Sequence, residues 1–154
     1  MKKSEQASIH ISVPEQLLYL KQGTATVRSY PVSTSKFGIG SEEGSMKTPI
    51  GRFRVAEKIG AGMPSGTVFR SRLPVTLSTE DAAREDLVMA RILWLNGLED
   101  HNSNTHDRFI YIHGTNHEEE IGTPASHGCI RMKNTDLVEL FELVPEGADV
   151  VVEA

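Results

Sequence analysis

Cysteine is almost missing from this sequence: Cys129 is the only one in 154 residues. A single thiol excludes an internal disulfide framework, so the chain folds on its core alone and the cysteine needs another reason to be present. Excess positive charge is missing as well. With 16 Lys and Arg against 21 Asp and Glu the formal net charge is -5, which speaks against a nucleic-acid partner, whose affinity rests on neutralised phosphates. No apolar run approaches the ~20 residues of a membrane span. The stretch Met1 to Ser8 carries two lysines with no apolar segment behind them, so as it stands it does not read as a secretory signal. The expectation is a cytoplasmic protein, or a trimmed form that works in the periplasm or cell wall. Internal repeats and low-complexity tracts are absent too.

What is present reads as one domain, residues 8–154, behind a short N-terminal tail, residues 1–7. Ile9, Ile11 and Val13 alternate with polar residues, and Leu17, Tyr19 and Leu20 lead to a predicted hairpin turn at Gln22-Gly23. Val27, Tyr30 and Val32 make a third strand, punctuated by Pro31. Residues 33–51 read as a surface connection; their glycines lack the spacing of a phosphate-binding loop. Strand character resumes at Phe53 and Val55. Arg70 and Arg72, two apart, would share one face of a strand; they could line an anion site, with a solvated face as the preferred reading. Ser78-Thr79-Glu80-Asp81 resembles a helix start, and Ile92, Trp94 and Leu95 a buried strand. Phe109 to His113 is the strongest strand signal, and Glu118 to Glu120 an exposed acidic run. Asn134 caps a helix with an apolar stripe through Leu137, Leu140 and Phe141, and Val150 to Val152 close the chain. The pattern predicts a mainly antiparallel β domain with one capping helix.

The chemistry concentrates around Ser126-His127-Gly128-Cys129-Ile130-Arg131-Met132. A catalytic thiol needs a base to take its proton and donors for the oxyanion formed when a carbonyl is attacked. Two histidines qualify as the base: His127, two residues away, and His113 at the end of the predicted strand. The N–H groups of Gly128 and Cys129 are natural oxyanion donors. A zinc site from His113, His117, His127 and Cys129 is the rival chemistry; His113 and His117 would converge on a helix, which the β-rich context disfavours. No metal and no cofactor is therefore expected. His10, His101 and His106 have no partner in the sequence.

These segments resemble the signature of the YkuD-type L,D-transpeptidases: His113-Gly114-Thr115-Asn116, then Ser126-His127-Gly128-Cys129-Ile130-Arg131-Met132, with Thr48-Pro49-Ile50-Gly51-Arg52-Phe53 similar to a third segment of that family. The resemblance implies a β-sandwich-like catalytic domain and a cysteine acyl-transferase acting on peptidoglycan stem peptides or muropeptides. It implies Cys129 as nucleophile, His113 as base, and the carbonyl of Gly114 as the group that orients the imidazole. His127 and Gly128 would shape the oxyanion pocket. Ser126 and Arg131 count as substrate-binding residues, the guanidinium suiting a carboxylate, with a structural salt bridge as the rival role for Arg131. Cross-linking and L,D-carboxypeptidase activity remain equal alternatives, and carbapenem β-lactams are the expected covalent inhibitors. A non-catalytic module that binds wall peptides and a cysteine peptidase of other specificity are the competing readings.

Overall fold

The alternation near the N-terminus becomes three consecutive antiparallel strands. In the computed structural model, which describes residues 6–78 and 86–154, these are β1 (Ala7–Ser12), β2 (Leu17–Gln22) and β3 (Ala25–Ser33). Gly23, at φ +61°, takes the first central position of the two-residue turn joining β2 to β3. β3 continues through Pro31 instead of ending there. Among the described residues the remaining strands are β4 (Gly51–Ile59), β5 (Val68–Arg70), β6 (Leu73–Val75), β7 (Val88–Gly97), β8 (Tyr111–Gly114), β9 (Ile130–Met132) and β10 (Asp149–Glu153), with one α-helix, α1 (Asn134–Leu143). The predicted helix start at residues 78–81 runs into residues 79–85, outside the described residues.

The ten strands hydrogen-bond in the order β4-β10-β1-β2-β3-β9-β8-β7-β5-β6, and β4 also pairs with β7. That pairing joins residues 53–59 to residues 92–97 and closes the sheet. The β5–β6 hairpin hangs on the start of β7, and the other strands form a closed barrel. The expected mainly-β domain with a packed helix is found. Its sandwich-like description becomes a barrel, because β4 and β7, which two separate layers would leave as edges, satisfy each other's backbone groups. Most pairings are antiparallel; β1–β10 and β8–β9 are parallel.

The inward side chains, among them Ile11, Leu18, Val32, Phe53, Leu93, Ile112, Ile130 and Met132, are fully buried and form one core with Leu137, Leu140 and Phe141 of α1. Each such side chain contributes about 1.5–3 kcal/mol. This burial fixes the register that matters for function. Ile112, Ile130 and Met132 point inward, so His113 and Arg131, which alternate with them, point outward. A slip of one residue would carry a guanidinium into the core. The outer face of β7 and β8 carries a second apolar cluster, Phe69, Ile92, Trp94 and Tyr111, with Cys129 packed against it.

Candidate active site

The parallel pairing of β8 with β9 sets His113 opposite Arg131 and Ile112 opposite Ile130. Cys129, one residue ahead of β9, then comes alongside Tyr111, on the same outward face as His113. The Tyr111 N–H donates to Cys129 Sγ at 3.3 Å, and the thiol donates to the Phe109 carbonyl at 3.3 Å. Phe109 does not begin the strand, as its sequence pattern suggested; it ends a turn at φ +57°, which aims its carbonyl at the sulfur.

His113 is buried, and its Nδ1–H donates to the Gly114 carbonyl at 2.5 Å. With the proton held on Nδ1, the Nε2 lone pair is left to accept one. Gly114 is needed for close approach: a Cβ there would lie 2.0 Å from Asn134 Oδ1 and 2.7 Å from the Met89 carbonyl. Asn134, expected as a helix cap, instead clamps Thr115, accepting from its N–H at 2.9 Å and donating to its carbonyl at 3.2 Å. Burial pushes the thiol of Cys129 up to about 11, against smaller downward pulls from the Tyr111 N–H, Arg131 and Arg108. Burial likewise pushes the His113 imidazole below its ordinary value, and this outweighs the Gly114 carbonyl and Asp86. Both shifts favour a resting pair of neutral thiol and neutral imidazole.

The segment from Ser126 to Gly128 is a tight turn. Ser126 is buried and donates to the Cys129 carbonyl at 2.6 Å, while accepting the Gly128 N–H at 3.3 Å. This hydroxyl, expected to bind substrate, is engaged in shaping the turn. Gly128 sits at φ +127°, a conformation other residues rarely adopt. Residues 33–51 are more than a surface connection. Lys36 N–H donates to the Ser126 carbonyl at 3.0 Å, the Thr48 hydroxyl to the Gly128 carbonyl at 2.9 Å, and Arg108 to the Lys47 carbonyl at 2.8 Å. The fully buried Thr48 is thus the link between its own motif and the cysteine segment.

Sequence reasoning missed Asp86. Its carboxylate accepts from Arg131 Nη2 at 2.6 Å and approaches His127 Nδ1 at 3.2 Å. Burial pushes this carboxyl up, but Arg131, together with His113 and His127, holds the group below its ordinary value. Arg131 is 2% exposed and also donates to Glu120 at 3.1 Å. Both acceptors belong to the protein, so the guanidinium occupies the ion-pair role that the sequence held as the rival to carboxylate binding. The acidic run is correspondingly less idle than expected: Glu120 meets Arg131, and Glu118 accepts the Asn134 N–H at 2.7 Å. Neither acid carries a sequence signal for these contacts, because both depend on the closed fold.

Among the described residues, no three of His113, His117, His127 and Cys129 converge as metal ligands; the one such group is His117, Glu119 and Glu120. The histidines without sequence partners find acids: His10 with Glu153, His101 with Glu99, His106 with Glu57. His106 also stacks on Trp94 at 3.9 Å between ring centroids. Arg72 is not on a strand. It occupies the β5–β6 turn with Ser71, both at positive φ, and donates to the Tyr111 hydroxyl at 3.1 Å.

A closed β-barrel thus carries a buried histidine on one strand and a cysteine just ahead of the parallel strand beside it, both on one outward face. The family model of the L,D-transpeptidase catalytic domain (YkuD) matches residues 6–152, and the chain belongs to that family. The putative L,D-transpeptidase YqjB of Bacillus subtilis is 48% identical over 48 residues, 31% of this chain and 27% of the relative. The L,D-transpeptidase of Xylanimonas cellulosilytica superposes with a TM-score of 0.64 at 20% identity, over 99% of this chain and 63% of the other. The L,D-transpeptidase 3 of Mycobacterium tuberculosis, solved with a faropenem-derived adduct, gives 0.61 at 15% identity over 96% and 60%. The chain thus spans less than two thirds of these relatives.

Proposed function

We propose that the protein is a cysteine acyl-transferase that cleaves the terminal D-Ala from peptidoglycan tetrapeptide stems through a thioester. The observation that carries this reading is the pairing of β8 with β9, which sets His113, with its tautomer held by Gly114, on the same face as Cys129. As Sγ attacks the carbonyl between the third-position diamino acid and D-Ala, the S–H bond to the Phe109 carbonyl is given up and the proton passes to His113 Nε2. The tetrahedral oxyanion is held by the N–H groups of Cys129 and Gly128, the latter giving up its 3.3 Å bond to the Ser126 hydroxyl, with His127 beside it. Collapse expels D-Ala, which takes the proton from His113 and leaves the acyl group on Sγ. An amine of a second stem then gives a 3→3 cross-link, or water gives the tripeptide. Water is the fitting acceptor if the chain stays in the cytoplasm and meets muropeptide fragments; an amine is fitting in the wall. β-Lactams of the carbapenem class are expected to acylate the same sulfur.

Incubation with a disaccharide-tetrapeptide, with products resolved by mass, tests this. Cross-linked dimers identify transpeptidation, and tripeptide with free D-Ala identifies carboxypeptidation. Release of neither product from a protein whose thiol reacts with alkylating reagents would contradict the reading.

A further inference from the structure

Arg131 and Arg108 act on the thiol and Arg72 touches two residues that hold it, and the three differ in what they can still bind. Arg131 is committed to Asp86 and Glu120. Arg108 is committed to main-chain carbonyls, those of Lys47 at 2.8 Å and Gly40 at 3.4 Å. Arg72 is different. Its guanidinium lies over Trp94 at 4.7 Å and Phe109 at 5.2 Å from the ring centroids, donates once to the Tyr111 hydroxyl, and has no carboxylate at ion-pair distance among the described residues.

Stacking uses the faces of a guanidinium and leaves its N–H edges for an acceptor in its plane, which a carboxylate fits. The position is built rather than accidental. Ser71 and Arg72 both take positive φ, +50° and +65°, in a two-residue hairpin turn that ordinarily favours glycine or asparagine. His106 stacks on Trp94, which also meets Tyr111 edge-on. Tyr111 accepts from Arg72 and so keeps its own O–H to donate. Of the three residues that touch Arg72, two, Tyr111 and Phe109, are also those whose backbone groups hold Cys129 Sγ.

We infer that Arg72, with the Tyr111 hydroxyl, binds a carboxylate of the stem peptide beside the scissile bond and thereby selects substrates that carry it. The inference rests on the proposed acyl-transferase reading. Two carboxylates have this chemistry, the C-terminal one of D-Ala and the side-chain one of a diamino acid that bears it.

The test compares kcat/KM for D-Ala release from a disaccharide-tetrapeptide, its C-terminal amide, and its analogue amidated on the diamino acid, in the wild type, Arg72→Gln and Arg72→Lys. The wild type is expected to disfavour one amide by about 10- to 100-fold, the loss of one charge-assisted hydrogen-bonded contact, and which amide suffers identifies the carboxylate bound. Arg72→Gln is expected to bring that ratio close to one by losing activity on the favoured acid, while its urea midpoint stays at the wild-type value, which shows an intact fold. Arg72→Lys is expected to fall between the two. An unchanged acid-to-amide preference in both variants, or a wild type indifferent to both amidations, overturns the inference and leaves the acyl-transferase reading standing. A wild type that releases no D-Ala from any of the three overturns that reading and the inference with it.

Discussion

At the scale of residues, the proposed reaction requires the proton of Cys129 to pass to His113 during attack, not before it. Burial raises the thiol to about 11 and lowers the imidazole, so the thiolate–imidazolium pair is not the resting form. Alkylation by iodoacetamide, which reacts with the thiolate alone, should therefore speed up with pH through the alkaline range and show no plateau near neutrality. A rate that levels off below pH 7 would mean a preformed ion pair. The glycine between His113 and Thr115 was readable as a motif, yet its reason, the approach of Asn134, was not: that contact spans 20 positions and exists only once α1 has docked.

Among elements, the pairing of β8 with β9 and its support by α1 decide whether the site exists. Gly114→Ala drives a methyl into Asn134 Oδ1 and the Met89 carbonyl. It should lower stability by about 1–3 kcal/mol, the usual cost of overpacking, read as a fall in the urea midpoint. By moving the carbonyl that orients His113 it should also lower kcat, by roughly 100-fold for a shift near 1 Å. Wild-type kcat in this variant would show that the carbonyl does not position the imidazole. The strands themselves were legible wherever period-two apolar residues met a turn signal, as from Ile9 through Gly23 to Val32. The β5–β6 turn was not, because Ser71 and Arg72 are neither glycine nor asparagine and their left-handed backbone leaves no local signature. Closure through β4 and β7 was equally hidden. Alternation gives the face of a strand and not its partner, and these two pair across about 40 intervening positions.

For the whole molecule, the site and the stability share the same charges. His113 is neutral in the fold, with its value held below the ordinary 6.5. Above that pH neither folded nor unfolded state binds the proton. As pH falls through 6.5, the unfolded chain takes it up first, and the folded state loses stability until its own lowered value is reached. Asp86 adds a second loss further down: held below 3.8 by Arg131, it contributes stability above that value that disappears as it protonates in the fold. His113→Gln should flatten the first of these losses, seen as urea midpoints that change less between pH 6.5 and 5 than those of the wild type. Parallel curves for the two proteins would remove the buried imidazole from the acid response. The core and the family motifs were visible in the sequence because they are local. Asp86 and the contact of Glu120 were not, and Arg72 stood out only as one of two arginines that could line an anion site, since these roles come from strands and loops brought together by barrel closure.

The central claim is that Cys129 is the group that takes the acyl chain. Intact mass spectrometry of the protein mixed with a disaccharide-tetrapeptide, alongside D-Ala release, addresses it directly in the wild type and in Cys129→Ala. The account predicts D-Ala and a hydroxylamine-sensitive adduct on the wild type, and neither on the alanine variant. Continued D-Ala release by Cys129→Ala would contradict it.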